Sequence, residues 1–279
     1  MAARRTRAGW LLVLRSEGAS LLRRVAGAAL MVCLALPTLA RADDAATKGR
    51  QTMSQWADAV VSLKIVAKMR MSAKGREMQE EEQANEAKAT VIDPSGLVVA
   101  SLSDVDPSRM VEMRMQEDPD FKVEANITDL KIRLADGKEI PAKIVLRDKD
   151  LDLAYVRPKE KLPAPLPAVD LSNAAKPQVL DEIVVLGRLG EAVNRAPSAS
   201  LDRILAIVEK PRTLYVPGIT TMMAGLGCPV FTLDGKVVGL LVMRSIPRGA
   251  GGSGSPYGDN MPVIIPAADV LEGVKQAAP

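Results

Sequence analysis

Apolar and polar residues alternate over residues 60–71, the period-two pattern of a strand with one buried face. The pattern recurs in short blocks. Over residues 89–105 two apolar runs flank Asp93-Pro94-Ser95-Gly96, a cluster of turn formers that predicts a β-hairpin. Residues 127–134 and 140–146 make a second predicted hairpin across Ala135-Asp136-Gly137, and 151–156 a further strand. Residues 182–186, 204–209 and 214–216 also read as strands. Residues 230–242 read as a hairpin around Asp234-Gly235, and Ile264 and Ile265 end a last strand. Pro266 then opens a terminal helix, where its fixed φ and missing N–H are harmless.

Four stretches break the alternation. Residues 43–58 are polar and Ala-rich, a flexible lead-in with a short helix near Trp56. Residues 78–88 (MQEEEQANEAK) are dense in charge and read as a solvated loop or short helix. The proline-dense KLPAPLP of 161–167 predicts an extended connection between two halves. Residues 249–258 (GAGGSGSPYG) read as a flexible loop. They lack the G-K-[S/T] that closes a phosphate-binding loop.

Composition sharpens this picture. Of 279 residues, 47% are hydrophobic and only 3% aromatic, so the core must be built from Val, Ile, Leu, Ala and Met. Residues 1–42 stand apart. Arg23 and Arg24 precede an apolar stretch over 25–36, and Ala40-Arg41-Ala42 fits a small-x-small cleavage point, as in a secretory signal peptide. The apolar stretch is short for a membrane span; an uncleaved signal anchor is the alternative. Paired arginines also occur in twin-arginine leaders, which leaves Sec and Tat export both open. The whole chain carries 37 basic and 34 acidic residues; without the seven arginines and one glutamate of 1–42, the remainder is net −3. No basic patch therefore argues for nucleic acid. Cleavage would remove Cys33 and leave Cys228 unable to form an internal disulfide. The expected mature chain is exported to the periplasm or beyond the cell, without a stable membrane anchor.

Four segments carry chemistry. GLGCPVFTLDGKVVGLLV at 225–242 resembles the segment around and after the nucleophile of trypsin-like serine proteases of the HtrA/Deg kind, G-N-S-G-G-P followed by a hairpin with a D-G turn. VIDPSGLVVASLSDV at 91–105 is similar to that family's V-I-x-D-x-G-Y-I-L-T-N-x-H-V. RDKDLDLAYV at 147–156 is similar to R-D-x-x-x-D-L-A-V-L, and VIIPAADVLEGVKQ at 263–276 to the closing I-P-x-x-x-V-x-x-V. The resemblance covers roughly residues 56–276. It implies an all-β fold, a trypsin-like double β-barrel with a short C-terminal helix. The expected division is a signal peptide at 1–42, a lead-in at 43–58, an N-terminal barrel at 59–163, and a C-terminal barrel with the terminal helix at 164–279.

The resemblance also places the triad, and two of its three positions are altered. Ser103 stands where the histidine is expected, Asp152 is the acid, and Leu226 takes the serine's place. The chemistry needs a hydroxyl nucleophile, an imidazole to take its proton near neutral pH, and a carboxylate to hold the imidazole's tautomer. The chain contains no histidine at all. A serine hydroxyl cannot accept the proton. Cys228 lies two residues beyond the nucleophile position with no imidazole to raise its thiolate fraction, and no lysine lies near Leu226 in sequence to form a Ser–Lys dyad. The backbone around Ala224, Gly225 and Leu226 could retain part of an oxyanion hole.

Three functions follow as expectations. The first is a non-catalytic, exported module that binds an extended peptide or a protein partner, in part through exposed strand edges. The second is an active serine hydrolase with an unrecognised site, which the absence of histidine disfavours. The third is Cu(I) handling through Met110, Met113 and Met115, with Met69, Met71, Met222 and Met223 as further thioethers. Against it, methionine also fills cores poor in aromatics. No cofactor is expected. Asn126-Ile127-Thr128 fits a glycosylation sequon, a pattern common by chance.

Overall fold

A computed structural model describes residues 44–73, 76–109, 121–245 and 260–277. The expected leader, Met110, Met113 and Met115, and the 249–258 loop lie outside the described residues. The chain divides into two compact units at Thr47/Lys48. Of the first, residues 44–47 are described and helical; the second is the body of the protein.

That body is two closed six-stranded antiparallel barrels. A helix over 48–56 (α1) and a 3-10 turn, Ala57–Ala59, lead into β1 (Val60–Ala73). The first barrel continues with β2 (Arg76–Asp93), β3 (Leu97–Ser101), a one-turn helix α2 (Leu102–Val105), β4 (Phe121–Arg133), β5 (Glu139–Asp148) and β6 (Leu153–Pro158). Its order around the ring is β1-β2-β3-β6-β5-β4. The second barrel comprises β7 (Glu182–Arg188), β8 (Pro197–Val208), β9 (Leu214–Pro217), β10 (Pro229–Thr232), β11 (Val237–Ser245) and β12 (Asn260–Pro266), ordered β10-β11-β12-β9-β8-β7. Helix α3 (Ala267–Gln276) ends the described chain.

The strands sit where alternation and turn residues place them. The β2–β3 turn closes with Gly96 N–H donating to the Asp93 carbonyl at 2.9 Å, and Ser95 N–H to the Asp93 carboxylate at 2.8 Å. The core is aliphatic, as the composition requires. Among the described residues Tyr155 and Phe231 are fully buried aromatics, and Trp56 stacks on Phe231 at 6.3 Å between ring centroids. The 161–167 stretch is irregular and adjoins chain pinned onto the first barrel, with Leu166 N–H on the Pro94 carbonyl and Val169 N–H on the Val91 carbonyl.

Two expectations are corrected. Residues 78–88 are neither loop nor helix; they belong to the 18-residue β2. Their charges meet basic partners on β1, with Arg70 opposite Glu80 and bonded to it at 3.2 Å, and Lys68 4.0 Å from the same carboxylate. Cross-strand ion pairing, which a single segment does not display, makes a strand of a charged run. The second correction concerns 102–105, expected to continue a strand. The chain turns at Ser101 into α2, because Asp152 captures the backbone there.

The barrels are tied by specific bonds. Thr90 Oγ1 donates to the Gly227 carbonyl at 2.7 Å. Arg188, only 5% exposed, donates to the carbonyls of Val60, Ala57 and Arg195 at 2.7 to 3.0 Å. Burial of that guanidinium is offset by these bonds. From α3, the Val270 carbonyl accepts the Tyr155 hydroxyl of β6 at 2.8 Å.

Candidate functional site

The structure brings Ser103 and Asp152 together. Asp152 sits in the β5–β6 turn with φ +57, and its own carbonyl accepts Leu102 N–H at 2.8 Å. Its carboxylate faces the start of α2. Oδ1 accepts Ser103 N–H at 2.9 Å, and Oδ2 accepts the hydroxyls of Ser103 at 2.8 Å and Ser101 at 2.5 Å. The two hydroxyls lie 2.9 Å apart. Asp152, Ser101 and Ser103 are all buried. Burial pushes the Asp152 carboxyl above its ordinary range, against the opposing pull of Ser101 and Ser103. The acid at the triad position thus binds two hydroxyls and an amide, groups that donate to it and cannot serve as a base near neutral pH.

Asp104, the next residue of α2, is a second acid at the site. Burial, reinforced by the charge of Asp152 and opposed by Lys88, pushes it up to about 6. Asn85 of β2 holds its carbonyl at 3.0 Å.

Leu226 stands on the second barrel in a tight loop after the 3-10 turn Ile219–Ala224. Gly225 and Gly227 adopt φ +92 and +75, a region costly for any other residue. At Gly227 a Cβ would also come 2.4 Å from the Lys88 carbonyl oxygen and 3.2 Å from Ala100 Cα, so only glycine lets the loop press on the first barrel. Gly227 N–H donates to the Leu241 carbonyl at 2.7 Å, stitching the loop to β11.

The Leu226 side chain is 8% exposed and belongs to the hydrophobic core. In the expected oxyanion region, Gly225 N–H donates to the Met222 carbonyl at 3.2 Å, and the Ala224 carbonyl accepts the Cys228 thiol at 3.2 Å. Cys228 is fully buried, and burial pushes its thiol up to about 12, so the thiolate fraction near neutral pH is negligible.

Lys88 is the lysine that sequence distance hid. It reaches the loop from β2, with Cγ 3.3 Å from where a Gly225 Cβ would stand. Its ammonium bonds Glu86 at 3.1 Å. Glu86 also accepts Ser62 at 2.7 Å and Arg195 at 2.9 Å. Burial alone would raise Glu86, but these partners overwhelm it and hold the carboxyl at about 2. Sequence reasoning missed Ser101, Asp104, Lys88 and this Glu86–Arg195 tie. Only Ser101, two residues before Ser103, left a trace in the local pattern.

The candidate methionines with described side chains fall into two pairs, Met69 and Met71 on β1 and Met222 and Met223 on the 3-10 turn. Met69 is buried on β1, whereas Met222 and Met223 are 40% and 80% exposed on the 3-10 turn. Among the described residues no cluster of three or more His, Cys, Asp or Glu side chains could hold a metal. No described helix is long and apolar enough to cross a membrane.

Comparison with known proteins agrees with this geometry. The family model described as "Trypsin-like peptidase domain" matches residues 87–240. Curated relatives bear the name "Probable periplasmic serine endoprotease DegP-like". That of Pseudomonas fulva is 29% identical over 157 residues, 54% of this chain and 31% of the relative. That of Rickettsia conorii is 26% identical over 165 residues, 57% and 28% of the two chains. That of Halomonas elongata is 28% identical over 150 residues, 51% and 30%. The matched region thus spans less than a third of the length of these relatives.

Proposed function

The chain belongs to the trypsin-like peptidase domain family, and we propose that it is an exported member that does not hydrolyse peptides and acts by binding an extended peptide or a protein partner. The observation that carries this reading is the Asp152 carboxylate. It meets Ser103 and Ser101 where an imidazole would be needed, in a chain without histidine. The buried Leu226 and the protonated, buried Cys228 support the same reading, since neither presents a nucleophile.

Binding is supported by the rim beside Leu226. Ile219, Met222 and Met223 are 63%, 40% and 80% exposed, which makes an apolar patch on one turn. Methionine adapts its shape to varied partners. Export is supported by the leader pattern and by the word "periplasmic" in the relatives' name. The test incubates the mature protein with fluorescently labelled, denatured casein. Saturable binding with no fragments on a gel is the expected result, weakened by Met222→Ser with Met223→Ser. Fragments appearing in proportion to the protein added would overturn the non-hydrolytic reading, and absence of binding would overturn the binding role.

A further inference from the structure

The first barrel carries a strand edge that its ring does not use. β2 pairs with β1 from Arg76 to Thr90, but with β3 only from Ala89 to Asp93. The other side of β1 is taken by β4. Among the described residues, no strand pairs the outer edge of β2 over residues 76–88. Over 80–84 exposed side chains lie on both faces, Glu80, Glu82 and Ala84 on one and Glu81 on the other, with Gln83 half-buried. The open stretch ends where Asn85 bonds the Asp104 carbonyl and Glu86 bonds Arg195. Nine residues, 76–84, span roughly 30 Å of strand. Prolines and bulges commonly blunt such an edge. This stretch has no proline; its one register shift lies toward the hairpin end, at Glu77–Gln79, and residues 80–84 run in unbroken register.

We propose that this edge accepts an extended segment bearing alternating lysine or arginine as an added strand. Main-chain hydrogen bonds to the free side of β2 would hold the segment, and the carboxylates would select its charge. Glu80 is already shared with Arg70 at 3.2 Å and Lys68 at 4.0 Å. Glu81 and Glu82 therefore supply the selection, one on each face. A second copy of the chain is the disfavoured occupant. Antiparallel pairing about a two-fold axis within 80–82 sets carboxylate opposite carboxylate, which destabilises a strand pair. The same acids attract a basic strand.

The experiment uses the mature chain and labelled eight-residue peptides of alternating Lys-Thr or Glu-Thr, read by fluorescence anisotropy. The Lys-Thr peptide is expected to bind about tenfold tighter at low salt, and to lose most of that margin near 0.5 M salt. Glu81→Lys with Glu82→Lys, both at exposed positions, should reverse the preference, with an unchanged thermal melt as the folding control. A Lys-Thr peptide N-methylated at alternate residues, which has lost half its main-chain donors, should bind at least about tenfold more weakly. Equal binding of the methylated peptide would overturn strand addition, and indifference to the charge reversal would overturn the edge as the site. Edge-dependent dimerisation by sedimentation, abolished by the same reversal, would assign the edge to a second copy instead. The proposal does not rest on the apolar rim near Leu226. Met222→Ser with Met223→Ser should leave Lys-Thr binding intact, and loss of binding in that variant would move the site to the rim.

Discussion

Replacing Asp104 by asparagine should stabilise the protein near neutral pH. Asp104 is half-buried near Asp152, with Lys88 as its nearby cation and the Cys228 thiol, uncharged, within reach of its field. Its carboxyl is raised from 3.8 to about 6, by burial first and Asp152 second. A raised acid is disfavoured in its charged form, so the folded state carries the penalty of ionisation. That penalty is complete above pH 6, shrinks as pH falls toward 4, and is gone below the unfolded value of 3.8. Two pKa units correspond to about 3 kcal/mol, and partial access to solvent reduces this to on the order of 2 kcal/mol. The Asp104→Asn variant would keep the backbone carbonyl that holds Asn85 and remove the charge. Urea melts of wild type and Asp104→Asn at pH 8, 6 and 4 provide the assay. The variant should lead by about 2 kcal/mol at pH 8 and by little at pH 4. Equal midpoints at pH 8, or a lead that does not change with pH, would refute the assignment.

Glu86 should act with the opposite sign. Because its partners hold it at about 2, below its ordinary 4.5, it stabilises the fold above pH 4.5, and that contribution is lost as pH falls toward 2. Glu86→Gln should flatten this segment of the stability–pH curve, read from denaturant midpoints. Helix α3 gives a packing test. A Cβ at Gly273 would fall 2.0 Å from the Tyr155 hydroxyl oxygen, which is itself bonded to Val270. Gly273→Ala should cost about 1–3 kcal/mol despite a helix-propensity gain of about 1 kcal/mol. Tyr155→Phe should recover part of that loss in the double variant, measured by thermal melts.

The barrels were legible because each strand's apolar face and each turn's residues are local properties. Residues 60–71, 182–186 and 264–265, and the Asp93–Gly96 and Asp234-Gly235 turns, announce themselves within a few positions. The charged half of β2 did not, because what makes it a strand is the basic face of β1. The site divides in the same way. Ser103 and Asp152 could be paired by motif, and the structure joins them at 2.8 Å. Ser101 as a second donor to the acid, the buried Arg188 between the barrels and Lys88 beside the Gly225 loop depend on approaches between segments distant in sequence. No spacing rule along the chain encodes those approaches.

The most direct test of the non-hydrolytic reading is the intact mass of the protein after prolonged exposure to a fluorophosphonate probe. A serine activated for acyl transfer would form a stable phosphonyl adduct. With Ser101 and Ser103 both donating to Asp152 and leucine at position 226, the mass should remain that of the unmodified chain. A stoichiometric adduct on any serine would contradict the account.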